Sequence, residues 1–241
     1  MPRTHISKSH TRIYYLLLYL YNLLILRPIH YLLLLHKRHI LQFQPVTYHC
    51  PPPSKLCLSQ LRKLPIKTLV LDLDETLIHS QHNCIIPYDF SINVKIDGIP
   101  TQFYVYKRPH LDFFLKMVSE WYYVVLFTAS LETYANAIAT QIDPTQKYIK
   151  KRYFRHNCSV DFTGYTKDLK IIQKDLSRIF IIDNSPTAYK GNPDNAIPIK
   201  SWYADNNDQC LLELLPILDA LRFTKDVRSV LKRNIHLHSL W

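Results

Sequence analysis

The chain has 241 residues, 47% of them hydrophobic and 20% charged, with 3 glycines and 15 prolines, so it is long enough for one or two domains and is not of low complexity. Of its 30 Lys+Arg and 19 acids, nine Lys+Arg and no acid fall in residues 1–66, which leaves a nearly neutral remainder of 21 against 19. A nucleic-acid binder needs a basic face on a folded element, and five scattered cysteines without CxxC spacing indicate neither a zinc site nor a disulfide framework.

The first predicted element is an apolar stretch, Ile13–Leu26, interrupted only by Asn22 and followed after Arg27-Pro28 by Ile29–Leu35. Neither piece reaches the roughly 20 residues that span hydrocarbon. Joined as one span they would bury Arg27 near mid-membrane at a cost of about 2.5–3.5 kcal/mol, with Pro28 breaking the helix. Two interfacial helices or a shallow re-entrant hairpin keep Arg27 at the headgroups, a setting that suits Tyr14, Tyr15, Tyr19, Tyr21 and Tyr31. A cleaved signal peptide lacks a small-residue cleavage site here, and a transit peptide is less apolar than this. The expectation is a membrane anchor over residues 1–42, contacting lipid through 13–35, as a single span or a monotopic segment. Pro45 and Pro51-Pro52-Pro53 then mark a stiff linker over 43–65.

From residue 66 the pattern changes to that of an α/β domain, 66–241. Lys67 to Leu73 reads as a strand buried on both faces that ends in Asp72 and Asp74. Ser91–Ile96 and Gln102–Tyr106 alternate in polarity around Asp97-Gly98, a hairpin signal. Pro109–Ser119 reads as a helix with proline in its first turn, Tyr122–Phe127 as a buried strand ending at Thr128, and Leu131–Ile142 as a helix. Ile179–Ile182 is a further buried strand, ending in Asp183-Asn184, and amphipathic helices over Gln209–Leu221 and Asp226–Asn234 close the domain. The sum is a doubly wound parallel sheet with a small β-hairpin insertion.

In such sheets the carboxyl ends of strands face the ligand crevice, so Asp72, Asp74, Thr128, Asp183 and Asn184 are all delivered to one place. Two carboxylates two residues apart repel one another unless a cation or a proton separates them. A strand-end acid pair, a strand-end hydroxyl, Lys167 in Gly164-Tyr165-Thr166-Lys167, and a strand-end Asp/Asn pair form, in this order, the parts of a phosphoryl-transfer site.

These motifs resemble the haloacid dehalogenase superfamily, and within it the aspartate-dependent Ser/Thr phosphatases related to the RNA polymerase C-terminal-domain phosphatases. The resemblance runs over about residues 66–241. Lys107-Arg108-Pro109-His110, Asp183-Asn184-Ser185-Pro186, the segment from Pro193 to Trp202, and Asp226-Val227-Arg228-Ser229-Val230-Leu231 look most like the Dullard-type nuclear envelope phosphatases. The segment Gln81–Phe90 is shorter than the usual loop of that family.

The resemblance implies that Asp72 is the nucleophile and Asp74 the general acid and base. It implies that Mg2+ is held by Asp72, the Asp74 carbonyl and Asn184, and that Thr128 and Lys167 bind phosphoryl oxygens. Asp183 is expected to position water or pair with Lys167, and Tyr134 and Arg155 to shape the substrate entrance. It further implies a phosphoprotein substrate of the lipin type and a small membrane regulatory subunit as partner, with no nucleic acid bound. The implied location is the endoplasmic reticulum and nuclear envelope membrane, with the catalytic domain facing cytosol or nucleoplasm. A C-terminal-domain phosphatase of RNA polymerase II, or an inactive phosphoprotein-binding scaffold, are the alternative readings.

Overall fold

The structure is a computed structural model that describes residues 53–84 and 86–232 together with positions 19, 21 and 28. The anchor expected over 1–42, with its lipid-contacting stretch 13–35, therefore lies almost wholly outside the described residues, and among those described no helix is long and apolar enough to cross a membrane. All the elements below belong to the unit Tyr48–Trp241. The stretch expected as linker holds a short exposed helix, α1 (Lys55–Leu61), whose Ser54 cap accepts a hydrogen bond from the Cys57 amide.

The apolar run Thr68-Leu69-Val70-Leu71 forms β1 (Thr68–Leu71), buried at every position. It is followed by β2 (Ile78–Gln81), β3 (Phe90–Ile96), β4 (Ile99–Lys107), α2 (Leu111–Trp121), β5 (Tyr123–Phe127) and α3 (Glu132–Ile142). Next come β6 (Ile149–Tyr153), β7 (Ser159–Asp161), β8 (Gly164–Thr166), β9 (Ile179–Asp183), α4 (Pro186–Tyr189), β10 (Ala196–Pro198), α5 (Cys210–Leu221) and α6 (Arg228–Leu231). The main sheet has the order β10-β9-β1-β5-β6 with every pairing parallel. From β1 the chain builds outward through β5 to β6, then returns to the other side of β1 for β9 and β10. The order reverses at β1, so the crevice opens beside its carboxyl end, where Asp72 stands.

Side-chain alternation along the strands divides the core in two. Leu69, Leu71, Val124, Leu126, Phe180 and Ile182 face a cluster to which α2, α3 and α5 contribute their buried stripes. Val70, Val125, Phe127, Ile179 and Ile181 face the opposite way, against Leu169, Ile172, Leu176 and Tyr189. The long helices thus join the first cluster, and single 3-10 turns at Leu169–Ile171 and Leu176–Arg178 cover the second. Each fully buried Leu, Ile or Phe contributes about 1.5–3 kcal/mol.

The insertion between β1 and α2 is larger than the hairpin expected. The β3–β4 hairpin turns at Asp97-Gly98 with φ of 51° and 82°, the positive pair that a two-residue turn of matching twist demands. β2 then adds on the far side of β4, giving a three-stranded antiparallel sheet of order β2-β4-β3. The strand Ile-His-Ser-Gln carries too little apolar character to be legible in advance. The insertion leaves and rejoins the domain at one point, where the Arg108 amide donates to the Leu77 carbonyl at 3.0 Å. Pro109 precedes α2 rather than opening it, because His110 adopts a left-handed φ of 67° and the helix begins only at Leu111.

Candidate active site

Three of the expected residues meet directly. The Lys167 ammonium donates to Asp72 Oδ1 at 2.5 Å and to Asp183 Oδ2 at 2.7 Å, with all three side chains at least nine-tenths buried. Lys167 reaches this position from the end of β8, where its amide bonds the Ala188 carbonyl of α4. Asp183, the last residue of β9, also accepts from the Ser185 amide at 2.8 Å. Burial alone would lower the Lys167 ammonium, but the carboxylates of Asp72 and Asp183 outweigh it and hold the group protonated well above its usual range. Asp183 is pushed up to about 6, first by burial and then by Asp72, against the opposing pull of Lys167.

Asn184 joins the set through Thr76. The Thr76 hydroxyl lies 3.1 Å from Asp72 Oδ2 and 3.2 Å from Asn184 Oδ1, and the Asn184 amide nitrogen donates to Ser201 Oγ at 2.9 Å. That bond to Ser201 fixes which end of the amide faces Thr76. Thr76 sits in a tight turn after β1 in which Glu75 takes a left-handed φ of 55°. The turn is closed by the Glu75 amide on the Ile78 carbonyl at 2.8 Å and by the Trp202 amide on the Glu75 carbonyl at 2.9 Å. Burial, Asp74 and Asp72 together push the Glu75 carboxyl up to about 7.

Behind that turn lies a second buried ion pair. Arg108, 1% exposed, is bidentate to Asp208 at 2.7 and 2.8 Å and donates to the Thr76 carbonyl at 3.0 Å. It ties the end of the insertion and the start of α5 to the residue that bridges Asp72 and Asn184.

Asp74 stands in its own polar cradle. Tyr134 donates to Oδ1 at 2.6 Å and Ser130 to Oδ2 at 2.7 Å. Burial raises its carboxyl and Asp72 adds to the rise, while the two hydroxyl bonds oppose it. The rise favours the protonated form, the direction a general acid needs. Tyr134 was expected to shape the entrance; its ring is 7% exposed and its hydroxyl serves Asp74. It faces inward because it belongs to the buried stripe of α3, with Ala135, Ile138, Ala139 and Ile142.

Thr128 follows β5, the strand beside β1, and is 1% exposed. Its amide donates to the Tyr153 carbonyl and its hydroxyl accepts from the Ser130 amide at 3.0 Å, so the loop 128–130 is shaped around it. Arg155, half-buried, lies over this loop. Its Nε donates to the Ala129 carbonyl at 2.7 Å, its amide to Ser130, and its guanidinium stacks on Tyr165 at 5.2 Å. Thr76, Ser130, Ser201 and the Arg108–Asp208 pair carry no role in the sequence reading, although Arg108 and Ser201 fall within motifs of the resemblance. For Thr76 and Ser130 the local signal is spacing, four residues after Asp72 and two after Thr128.

The donor set fits a small divalent cation. Asp72 Oδ2 and Asn184 Oδ1 converge on one hydroxyl, and among the described residues no hydrogen bond reaches the Asp74 carbonyl. These are all oxygens, the ligands a hard ion prefers. Among the described residues no cluster of three or more His, Cys, Asp or Glu offers another metal site.

Comparison with known proteins points to one phosphatase family. Residues 67–228 match the family model described as NLI interacting factor-like phosphatase. The chain is 54% identical over 212 residues to the CTD nuclear envelope phosphatase 1 homolog of Drosophila melanogaster, covering 85% of this chain and 87% of that protein. It is 51% identical over 219 residues to CTD nuclear envelope phosphatase 1B of Danio rerio, covering 88% and 89% respectively. The fold is similar to that of the fission yeast RNA polymerase II CTD phosphatase Fcp1, with a TM-score of 0.52 at 22% identity over 75% of this chain and 57% of that one.

Proposed function

We propose that this chain, which belongs to the NLI interacting factor-like phosphatase family and is a protein phosphatase acting on phosphoproteins, is a Mg2+-dependent Ser/Thr phosphatase working through an aspartyl-phosphate on Asp72. The observation that carries the reading is the hydrogen-bonded set of Asp72, Lys167, Asp183, Thr76 and Asn184, gathered from the ends of β1, β8 and β9, with Asp74 next to it.

A carboxylate oxygen of Asp72 attacks phosphorus as the serine or threonine P–O bond breaks. Asp74 gives its proton to the leaving alkoxide. The same carboxylate then takes a proton from the water that attacks the aspartyl-phosphate, which releases inorganic phosphate and restores Asp72. Lys167 and Thr128 hold two phosphoryl oxygens and stabilise the charge that spreads over them in the transition state. Asp183 keeps Lys167 in place. Asp72, the Asp74 carbonyl and Asn184 would hold Mg2+, which when bound neutralises phosphate charge. Arg155, at the rim of the loop 128–130, is offered to the substrate chain, and Tyr134 positions Asp74.

Residues 13–35 anchor the chain to membrane lipid in this reading. Relatives named as nuclear envelope phosphatases support action at the nuclear envelope and endoplasmic reticulum, with the catalytic unit on the cytosolic or nucleoplasmic side. The family resemblance supports lipin-type phosphatidate phosphatases as substrates and a small membrane regulatory subunit as partner. A second reading, a phosphatase of the RNA polymerase II C-terminal domain, is favoured by the likeness of fold to Fcp1.

Asp72→Asn is expected to abolish hydrolysis of p-nitrophenyl phosphate and any acid-stable labelled phosphoenzyme; equal turnover by variant and parent overturns the mechanism. Deletion of residues 1–40 is expected to move the protein from the membrane to the soluble fraction. A parent protein with no membrane fraction favours the second reading.

A further inference from the structure

The densest group of positive charge in residues 67–241 lies on and around one strand. Between Asp143 and Asp161 there is no acid, and Lys147, Lys150, Lys151, Arg152 and Arg155 fall within nine residues. They lie on and around β6, the last strand of the main sheet on its side, which presents an unpaired backbone edge. Lys147, Lys150 and Lys151 are exposed, and among the described residues none of the three is ion-paired. Lys150 is the extra residue where the pairing of β6 with β5 shifts register, so it stands clear of the ladder. Arg152 is engaged with Asn136 and Thr140 of α3.

The strip has a direction. The carboxyl end of β6 is bonded to the loop that carries Thr128, through the Thr128 amide on Tyr153 and the Arg155 amide on Ser130. A chain lying along this edge is therefore led to the phosphate site past Arg155. Edge lysines also discourage sheet-to-sheet pairing, but that role asks neither for an acid-free stretch on both sides nor for a strip ending at the catalytic loop. A lipid surface fits less well: interfacial binding wants apolar side chains beside the basic ones, and here Ile149 and Phe154 are buried at 2% and 6% exposure.

We propose that the β6 edge, through Lys147, Lys150 and Lys151, is a docking strip for an extended acidic segment of the phosphoprotein substrate, a proposal that rests on the phosphatase reading above. At roughly 3.3 Å per extended residue, the acids it selects lie about four to six positions from the phosphorylated residue. The attraction is between exposed charges, so it acts on encounter and affinity rather than on the chemical step and weakens with salt.

The test uses the full chain and two synthetic phosphoserine peptides, one with a run of glutamates four to six positions from the phosphoserine and one with alanines there. The parent protein is expected to show a KM for the glutamate peptide about tenfold below that for the alanine peptide at low salt. In Lys150→Glu/Lys151→Glu that preference is expected to vanish, with p-nitrophenyl phosphate turnover unchanged. Lys150→Gln/Lys151→Gln carries the test if the reversed charges impair folding. Equal KM values for the two peptides in the parent, or a preference that survives both double variants, overturns the docking strip while leaving the phosphatase intact. Loss of binding to anionic vesicles in the variants, with the peptide preference retained, assigns the strip to a membrane instead and also overturns it. Failure of the parent to hydrolyse p-nitrophenyl phosphate points to the phosphatase reading itself.

Discussion

The hydroxyl of Tyr134 donates to Asp74 Oδ1 at 2.6 Å while also lying 2.6 Å from Ser80 Oγ, so a residue of α3 joins the insertion to the carboxyl that moves protons. The bond favours the ionised form of Asp74 and restrains a carboxyl that burial raises. Tyr134→Phe removes it and lets the Asp74 pKa rise further. The limb of the kcat–pH profile governed by Asp74 is then expected to move to higher pH, with kcat at neutrality falling about tenfold. An unchanged profile would show that Asp74 does not set that limb.

The Arg108–Asp208 pair makes stability depend on pH in a defined direction. Burial alone would raise the Asp208 carboxyl, but the Arg108 guanidinium outweighs it and holds it below the usual carboxylate range. A carboxyl depressed in the folded state adds stability that is fully present above the unfolded pKa of about 3.9 and is lost as pH falls through the folded value. Asp208→Asn strands a buried guanidinium and is expected to cost about 3–5 kcal/mol at pH 7. Denaturant midpoints of parent and variant should converge as pH falls below about 4; a gap that stays constant with pH contradicts the assignment.

Thr76 touches both proposed side-chain ligands. Thr76→Val keeps the branched shape and removes the hydroxyl between Asp72 Oδ2 and Asn184 Oδ1. The Mg2+ concentration for half-maximal activity is expected to rise about ten- to a hundredfold, the usual effect of losing an outer-shell partner of a metal site. A titration of p-nitrophenyl phosphate turnover against Mg2+ reads this directly.

Chelation by EDTA is expected to abolish turnover, and added Mg2+ to restore it. In Asn184→Ala the restored activity should need more Mg2+ than the parent, while denaturant stability in EDTA stays close to that of the parent. Full activity in EDTA would remove the cation from the mechanism.

The strands that carry the chemistry were legible because they are buried on both faces. β1, β5 and β9 are continuous apolar runs that each stop at a polar residue, and that stop marks the crevice. β6 was not legible because it is an edge strand whose sequence, Ile-Lys-Lys-Arg-Tyr, answers to solvent rather than to the core. β7, β8 and β10, at three residues each, are too short to establish a period. The start of α2 was misplaced because a left-handed His110 interrupts the chain after Pro109, and nothing in a histidine announces that conformation. In the site, Asp72, Asp74, Asp183 and Asn184 could be found from their places at strand ends, and Lys167 from its position between those motifs. Thr76 and Ser130 could not, since hydroxyl residues in turns are common caps and their significance arises only when a partner arrives from elsewhere. Arg108 and Asp208 are brought together across 100 positions of sequence by the docking of α5.

The hydrogen bond from the Arg108 amide to the Leu77 carbonyl makes the residues between them a cassette with a shared entry and exit. Because both ends are clamped at the base, a change in the interior is passed to the carboxylates through Ser80, whose hydroxyl meets the Tyr134 that holds Asp74. A graft of residues 78–107 between relatives should therefore leave the hydrolytic machinery in its original register only where a hydroxyl is kept at position 80.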